Sequence, residues 1–163
     1  MTDFDTEGTT RRSTLTAIPK YAEVQDDPRA LTAFNDEVVQ EFRANGGNVS
    51  GPFADADIVL LTMTGAKSGQ QRLTPLEYFA IDGRIILLGT YGGAPKDPAW
   101  VHNLRANPRV HVEIGTESYD ATARELAGDE RDALFATIVE TSSHVANYPR
   151  TRRSIPLFEL LAA

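Results

Sequence analysis

The sequence predicts an α+β fold, a mostly antiparallel sheet or small barrel with helices around it. Two observations lead there. The predicted order is helix, three strands, helix, two strands, helix, strand, so strands cluster instead of alternating with helices. The links between strands include Asp82-Gly83, the strongest short hairpin signal in the chain, so hairpins outnumber crossovers. A doubly wound parallel fold would need the opposite pattern.

Residues 1–29 are polar, with scattered prolines and few apolar positions, and read as a flexible N-terminal arm before one domain, 30–163. From Leu31 to Ala44, Leu31, Phe34, Val38, Val39 and Phe42 recur at helical spacing, and Asn45-Gly46-Gly47 supplies a left-handed stop. Ile58 to Thr64 is nearly all apolar and reads as a strand buried on both faces. Arg72 to Ile81 and Arg84 to Thr90 flank the hairpin turn, and Pro75 places the first of them at an edge or bulge.

Asp97-Pro98 reads as a helix start, with Asp97 as N-cap and Pro98 in the first helical position. Trp100, Val101 and Leu104 form its buried face, and Asn107-Pro108 ends it, Asn107 tolerating the left-handed conformation. Arg109 to Ile114 alternates, turns at Gly115-Thr116, and returns from Glu117 to Leu126. Asp129 caps a helix carrying Leu134, Phe135, Ile138 and Val139, and Ile155 to Leu161 forms a closing strand.

The composition of this 163-residue chain narrows the function classes. It has no cysteine, which removes disulfides, thiolate metal sites and cysteine nucleophiles, and fits a reducing cytoplasm. A net charge of −7 argues against general nucleic-acid binding, and no apolar run reaches membrane-spanning length. The start lacks a signal-peptide pattern, so a cytoplasmic protein is expected.

Against that acidic background one turn stands out. Thr64-Gly65-Ala66-Lys67-Ser68-Gly69-Gln70-Gln71-Arg72 gathers two cations and a hydroxyl, a set that suits a phosphate or carboxylate. It is not a P-loop, because Gly65 lies too close to Lys67 and a strand follows instead of a helix. Spacing leaves two readings open, an anion site or a solvated hairpin turn. A second Gly-rich turn, Tyr91-Gly92-Gly93-Ala94-Pro95, precedes the Trp100 helix and is either a ligand loop or plain geometry. His102, His111 and His144 have no metal-pair spacing, and no Gly-x-Ser-x-Gly elbow is present. Arg150, Arg152 and Arg153 either clamp an acidic ligand or pair with surface carboxylates.

The block Thr62 to Arg72 followed by Thr74-Pro75-Leu76, and the block Gly92-Gly93-Ala94-Pro95-Lys96-Asp97-Pro98-Ala99-Trp100-Val101-His102-Asn103-Leu104-Arg105-Ala106-Asn107-Pro108, resemble the deazaflavin (F420)-dependent nitroreductase family of actinobacteria. Ile155-Pro156 before an apolar strand is similar too. The resemblance covers roughly Ile58 to Leu161. It implies a split β-barrel, with 30–163 as one deazaflavin-binding domain, that binds coenzyme F420, a carrier with a phosphate and an acidic glutamate tail.

On that template Ala66, Lys67, Ser68 and Arg72 match the phosphate end. Arg72, Leu73, Thr74, Pro75, Leu76 and Glu77 match segments lining the coenzyme, as do Leu88, Gly89, Thr90 and Tyr91, and Ala99, Trp100, Val101, His102 and Asn103, largely through backbone groups. The implied activity is hydride transfer from reduced deazaflavin to a small-molecule acceptor such as a quinone, nitroaromatic or enone, without a protein nucleophile. Thr90, His144 and Tyr148 are the candidate substrate or proton contacts, and a homodimer is expected.

Three positions depart from the pattern. Ala66 stands where many members carry Arg, and Tyr91 where Lys or Asn is common. Relatives that reduce nitroaromatic prodrugs carry two tyrosines three apart, whereas His144-Val145-Ala146-Asn147-Tyr148 holds one. FMN is the alternative cofactor, since both tails carry phosphate. A non-catalytic carrier of a tetrapyrrole, a fatty acid or the coenzyme is the alternative from another class.

Overall fold

Six apolar-rich stretches form strands that close on themselves in a computed structural model describing residues 28–49, 56–89, 97–142 and 154–163. The chain runs α1 (Pro28–Ala44), β1 (Ile58–Thr64), β2 (Gln71–Ile81), β3 (Arg84–Leu88), α2 (Ala99–Ala106), β4 (Arg109–Ile114), β5 (Glu117–Glu125), α3 (Gly128–Thr141) and β6 (Leu157–Ala162). The strands form a closed barrel in the order β1-β2-β3-β6-β5-β4, every pair antiparallel. The α+β, mostly antiparallel barrel expected from the sequence is the observed fold.

Each strand alternates between the barrel interior and an outer layer. Val59, Leu61, Met63, Leu87, Val110, Val112, Phe158 and Leu160 fill the interior, and α2 seals it with Trp100, Val101 and Leu104. Trp100 meets Phe158 edge to face, with ring centroids 5.8 Å apart. On the outer face, Ile58 and Leu60 pack under Val38 and Phe42 of α1, which is why β1 is buried on both sides. Ile86, Leu126 and Leu157 pack under Leu134 and Ile138 of α3. No helix among the described residues is long and apolar enough to cross a membrane.

The turns follow their local chemistry. Asp82 (φ 51°) and Gly83 (φ 78°) are both left-handed, as a two-residue hairpin requires, and Gly46 (φ 62°) and Gly47 (φ 96°) stop α1. Four helix ends differ from expectation. Pro98 itself is the N-cap of α2, so the helix starts one residue later, and Asp97 lies 3.6 Å from Arg105 in an ion pair instead of capping. Asn107 is extended (φ −138°), because the residue before a proline is pushed out of helical space. Ala127 is the N-cap of α3, with Asp129 inside the first turn, where its charge favours the helix dipole. The helix α1 begins at Pro28, inside the stretch read as the arm.

Candidate functional site

The β1–β2 hairpin builds the site. Its ladder is bounded by two bonds: the Tyr78 N–H donates to the Asp57 carbonyl (2.9 Å), and the Gly65 N–H donates to the Gln70 carbonyl (2.8 Å). The register between them is unbroken, so Arg72, Thr74 and Leu76 turn their backbone groups toward β1. Leu73 and Pro75 therefore turn theirs away. On that side β3 pairs with β2 only from Tyr78 onward, so the upper half of β2 is an open lip among the described residues. Pro75, which has no N–H to donate, sits there without loss, the edge position expected of it.

Across the opening, β3 ends at Leu88 and leaves the sheet through Gly89. The Gly89 N–H donates to the Pro156 carbonyl at 2.9 Å, and a Cβ here would lie 3.0 Å from Val101 and 3.2 Å from Pro156. A side chain here would crowd Val101 of α2 and Pro156, which would have to give way by a few tenths of an ångström. Trp100 and Val101 are buried in the core and His102 is exposed, so the α2 residues meet the site mainly through Asn103.

The turn between β1 and β2 has a complete hydrogen-bond account. Gly65 N–H goes to Gln70, Gly69 N–H to the Gly65 carbonyl (3.0 Å), and Gln70 N–H to Ser68 Oγ (3.1 Å). The Ala66 N–H donates to Asn103 Oδ1 at 2.9 Å. Two consecutive donors, the Lys67 and Ser68 N–H groups, have no acceptor among the described residues. A Cβ at Gly65 would stand 2.7 Å from Ser68 Oγ, so a side chain there would push the Ser68 hydroxyl from its present place.

Charge follows the same line. Arg43, Arg84, Arg105, Arg124 and Arg131 each hold a carboxylate at 2.7 to 3.1 Å. Lys67 and Arg72 hold none among the described residues, and both are exposed at the turn. Arg72 lies opposite Met63, so its side chain leaves the interior face of β2 at the barrel mouth. Among the described residues, two N–H groups without an acceptor and two cations without a carboxylate thus lie at one exposed turn.

Of the residues singled out by sequence, Lys67 and Ser68 lie in the β1–β2 turn, Arg72, Leu73, Thr74, Pro75, Leu76 and Glu77 follow one another along β2, and Leu88 ends β3, with Gly89 after it. Ala66 gives its N–H to Asn103 and presents only a methyl group. Thr90, Tyr91, His144, Tyr148 and the Arg150–Arg153 cluster lie outside the described residues. No group of three or more potential metal ligands occurs among the described residues. Sequence reading did not foresee that Asn103 holds the turn, because 37 positions separate the two partners and no local pattern links them.

The fold is a closed antiparallel barrel that carries an exposed cationic turn between β1 and β2. The family model described as F420H(2)-dependent quinone reductase matches residues 35–161, and the chain belongs to that family. It is 35% identical over 106 residues to an F420H(2)-dependent quinone reductase of Mycobacterium tuberculosis, covering 63% of this chain and 71% of that protein. The solved F420-H2 dependent reductase FDR-A is 43% identical, with a TM-score of 0.56 over 63% of this chain and 92% of its own. A structure described as a domain-swapped dimer is 36% identical, with a TM-score of 0.58 over 82% of this chain and 99% of its own. The protein is thus an oxidoreductase whose cofactor is coenzyme F420.

Proposed function

We propose that the protein reduces a quinone-class acceptor, with the Lys67–Ser68 turn and Arg72 holding the phosphate of the coenzyme. The single observation that carries this reading is the pair of N–H groups at Lys67 and Ser68 without acceptors, beside two cations without carboxylate partners, among the described residues. Arg72 provides a bidentate fork and Lys67 a point charge, while Ser68 keeps a hydroxyl hydrogen to donate because its oxygen already accepts from Gln70.

The open lip supports placement of the planar ring system. Leu73 offers an N–H and a carbonyl, and Pro75 a carbonyl, to the edge of a flat ligand, as expected for contacts made through backbone. Reduced F420, when bound, supplies the hydride. The protein orients the acceptor against it and keeps water out. Thr90, His144 and Tyr148 are the proposed acceptor or proton contacts, and nitroaromatics and enones are the other candidate acceptors.

Stopped-flow oxidation of reduced F420 against a panel of quinones, nitroaromatics and enones tests the reading. Fastest turnover with a quinone is the expected result. Tight coenzyme binding with no turnover for any acceptor refutes it in favour of a carrier. The same reading takes the protein as a cytoplasmic homodimer, supported by the similarity to the domain-swapped dimer and by the absence of cysteine. Sedimentation as a monomer at micromolar concentration would remove the dimer.

A further inference from the structure

We infer that Asn103 is a positioning residue that decides which backbone donors of the turn remain open for the coenzyme. Asn103 projects from α2 between Trp100 and Leu104, both locked in the barrel core. Its Oδ1 accepts the Ala66 N–H at 2.9 Å, and its Nδ2 lies 3.6 Å from Met63 Sδ at the end of β1. One side chain is thereby fixed at both ends, to the strand that enters the turn and to the turn's second residue.

The consequence lies in the order of the donors. Ala66, Lys67 and Ser68 present three successive N–H groups, and Asn103 takes the first. With Ala66 held down, Lys67 and Ser68 are the two left without an acceptor among the described residues, and the Ser68 hydroxyl oxygen accepts from the Gln70 N–H. The turn is therefore set before any ligand arrives, which spares the coenzyme the entropy cost of ordering it. Ala66, a methyl group at the position where a cation could stand, leaves this ordering of backbone donors as a principal source of affinity beside Lys67 and Arg72. Asn103 acts through Ala66 and is assigned no direct contact with the coenzyme, a role that rests on the phosphate reading of the turn but is measurable apart from it.

Amide hydrogen exchange in the ligand-free protein gives the first test. The Ala66 amide is expected to be protected in the native chain, to lose protection in Asn103→Ala, and to regain it in Asn103→Asp, which keeps an acceptor oxygen. The Gly65 amide, bonded to Gln70, should stay protected in all three. The second test is F420 binding by fluorescence. Asn103→Ala should weaken it about tenfold, the scale of one lost hydrogen bond. Equal Ala66 exchange in all three proteins overturns the inference. So does an F420 affinity unchanged in Asn103→Ala. Failure of the native protein to bind F420, with the Ala66 pattern intact, would overturn the phosphate reading and leave the role of Asn103 in the turn standing.

Discussion

Two charged regions of this barrel use the same residue types to opposite ends. Under α3, Arg84 of β3 and Arg124 of β5 converge on Glu159 of β6, at 2.9 and 2.8 Å, and on Glu130 of α3, at 2.8 and 3.0 Å. Glu159 is only 5% exposed, and each charge there has two partners. At the barrel mouth, Lys67 and Arg72 have no carboxylate beside them among the described residues, and the Lys67 and Ser68 N–H groups have no acceptor there. The first cluster spends its charge on holding strands and helix together. The charge of the second is left for the coenzyme phosphate in the function proposed above.

If that contrast is right, mutations at the two places should separate affinity from stability. The largest effect is expected from Lys67→Ala combined with Arg72→Ala. Coenzyme affinity should fall by about 3 kcal/mol or more, roughly 150-fold, with about 1.5–3 kcal/mol for each single change. The melting midpoint should move by less than about 2 °C, since the two side chains are exposed and unpaired. Unchanged affinity in both single variants would place the phosphate elsewhere.

Glu159→Ala should do the reverse. It leaves Arg84 and Arg124 side by side with only Glu130 between them, for an expected loss of about 2 kcal/mol in denaturant unfolding and a coenzyme Kd unchanged within about twofold. The same cluster sets an acid limit. Hydrogen bonds from Arg124 and Arg84 lower the Glu130 carboxyl to about 2, and bonds from Arg84 and Arg124 likewise lower that of Glu159. Because these folded values lie below the ordinary 4.5, the stabilisation is complete above that pH and is lost as pH falls toward about 2. Melting curves across this window should slope more gently for Glu159→Gln than for the native chain; parallel slopes would mean that the cluster does not set the limit.

The smallest effect is expected from Ser68→Ala, which removes the acceptor of the Gln70 N–H and one donor to the anion. About 1 kcal/mol of coenzyme affinity should be lost, with no change in unfolding. A loss of stability instead would move Ser68 from the ligand side of the comparison to the structural side.

Much of the fold was legible because its signals are local. Strand alternation, Asp82-Gly83 and the paired glycines after α1 each act over a few residues, and each appears where read. The helix starts shifted by one or two positions, since Pro98 and Ala127 cap by backbone conformation and not by a side-chain bond. The cations of the candidate site were visible as Lys67 and Arg72, but their lack of partners was not, because pairing is decided by strands far apart in sequence. The same holds for the Arg84–Glu159 contact, 75 positions apart, and for Asn103 on Ala66.

Pro75 has one more consequence. A strand side left unpaired presents a template to any other extended chain, and such templates seed edge-to-edge aggregation. Proline at that position deletes a donor on the side of β2 that β3 leaves unpaired among the described residues, so an incoming strand would find an interrupted ladder. The residue that looked like an interruption of β2 thus guards it against the wrong partner.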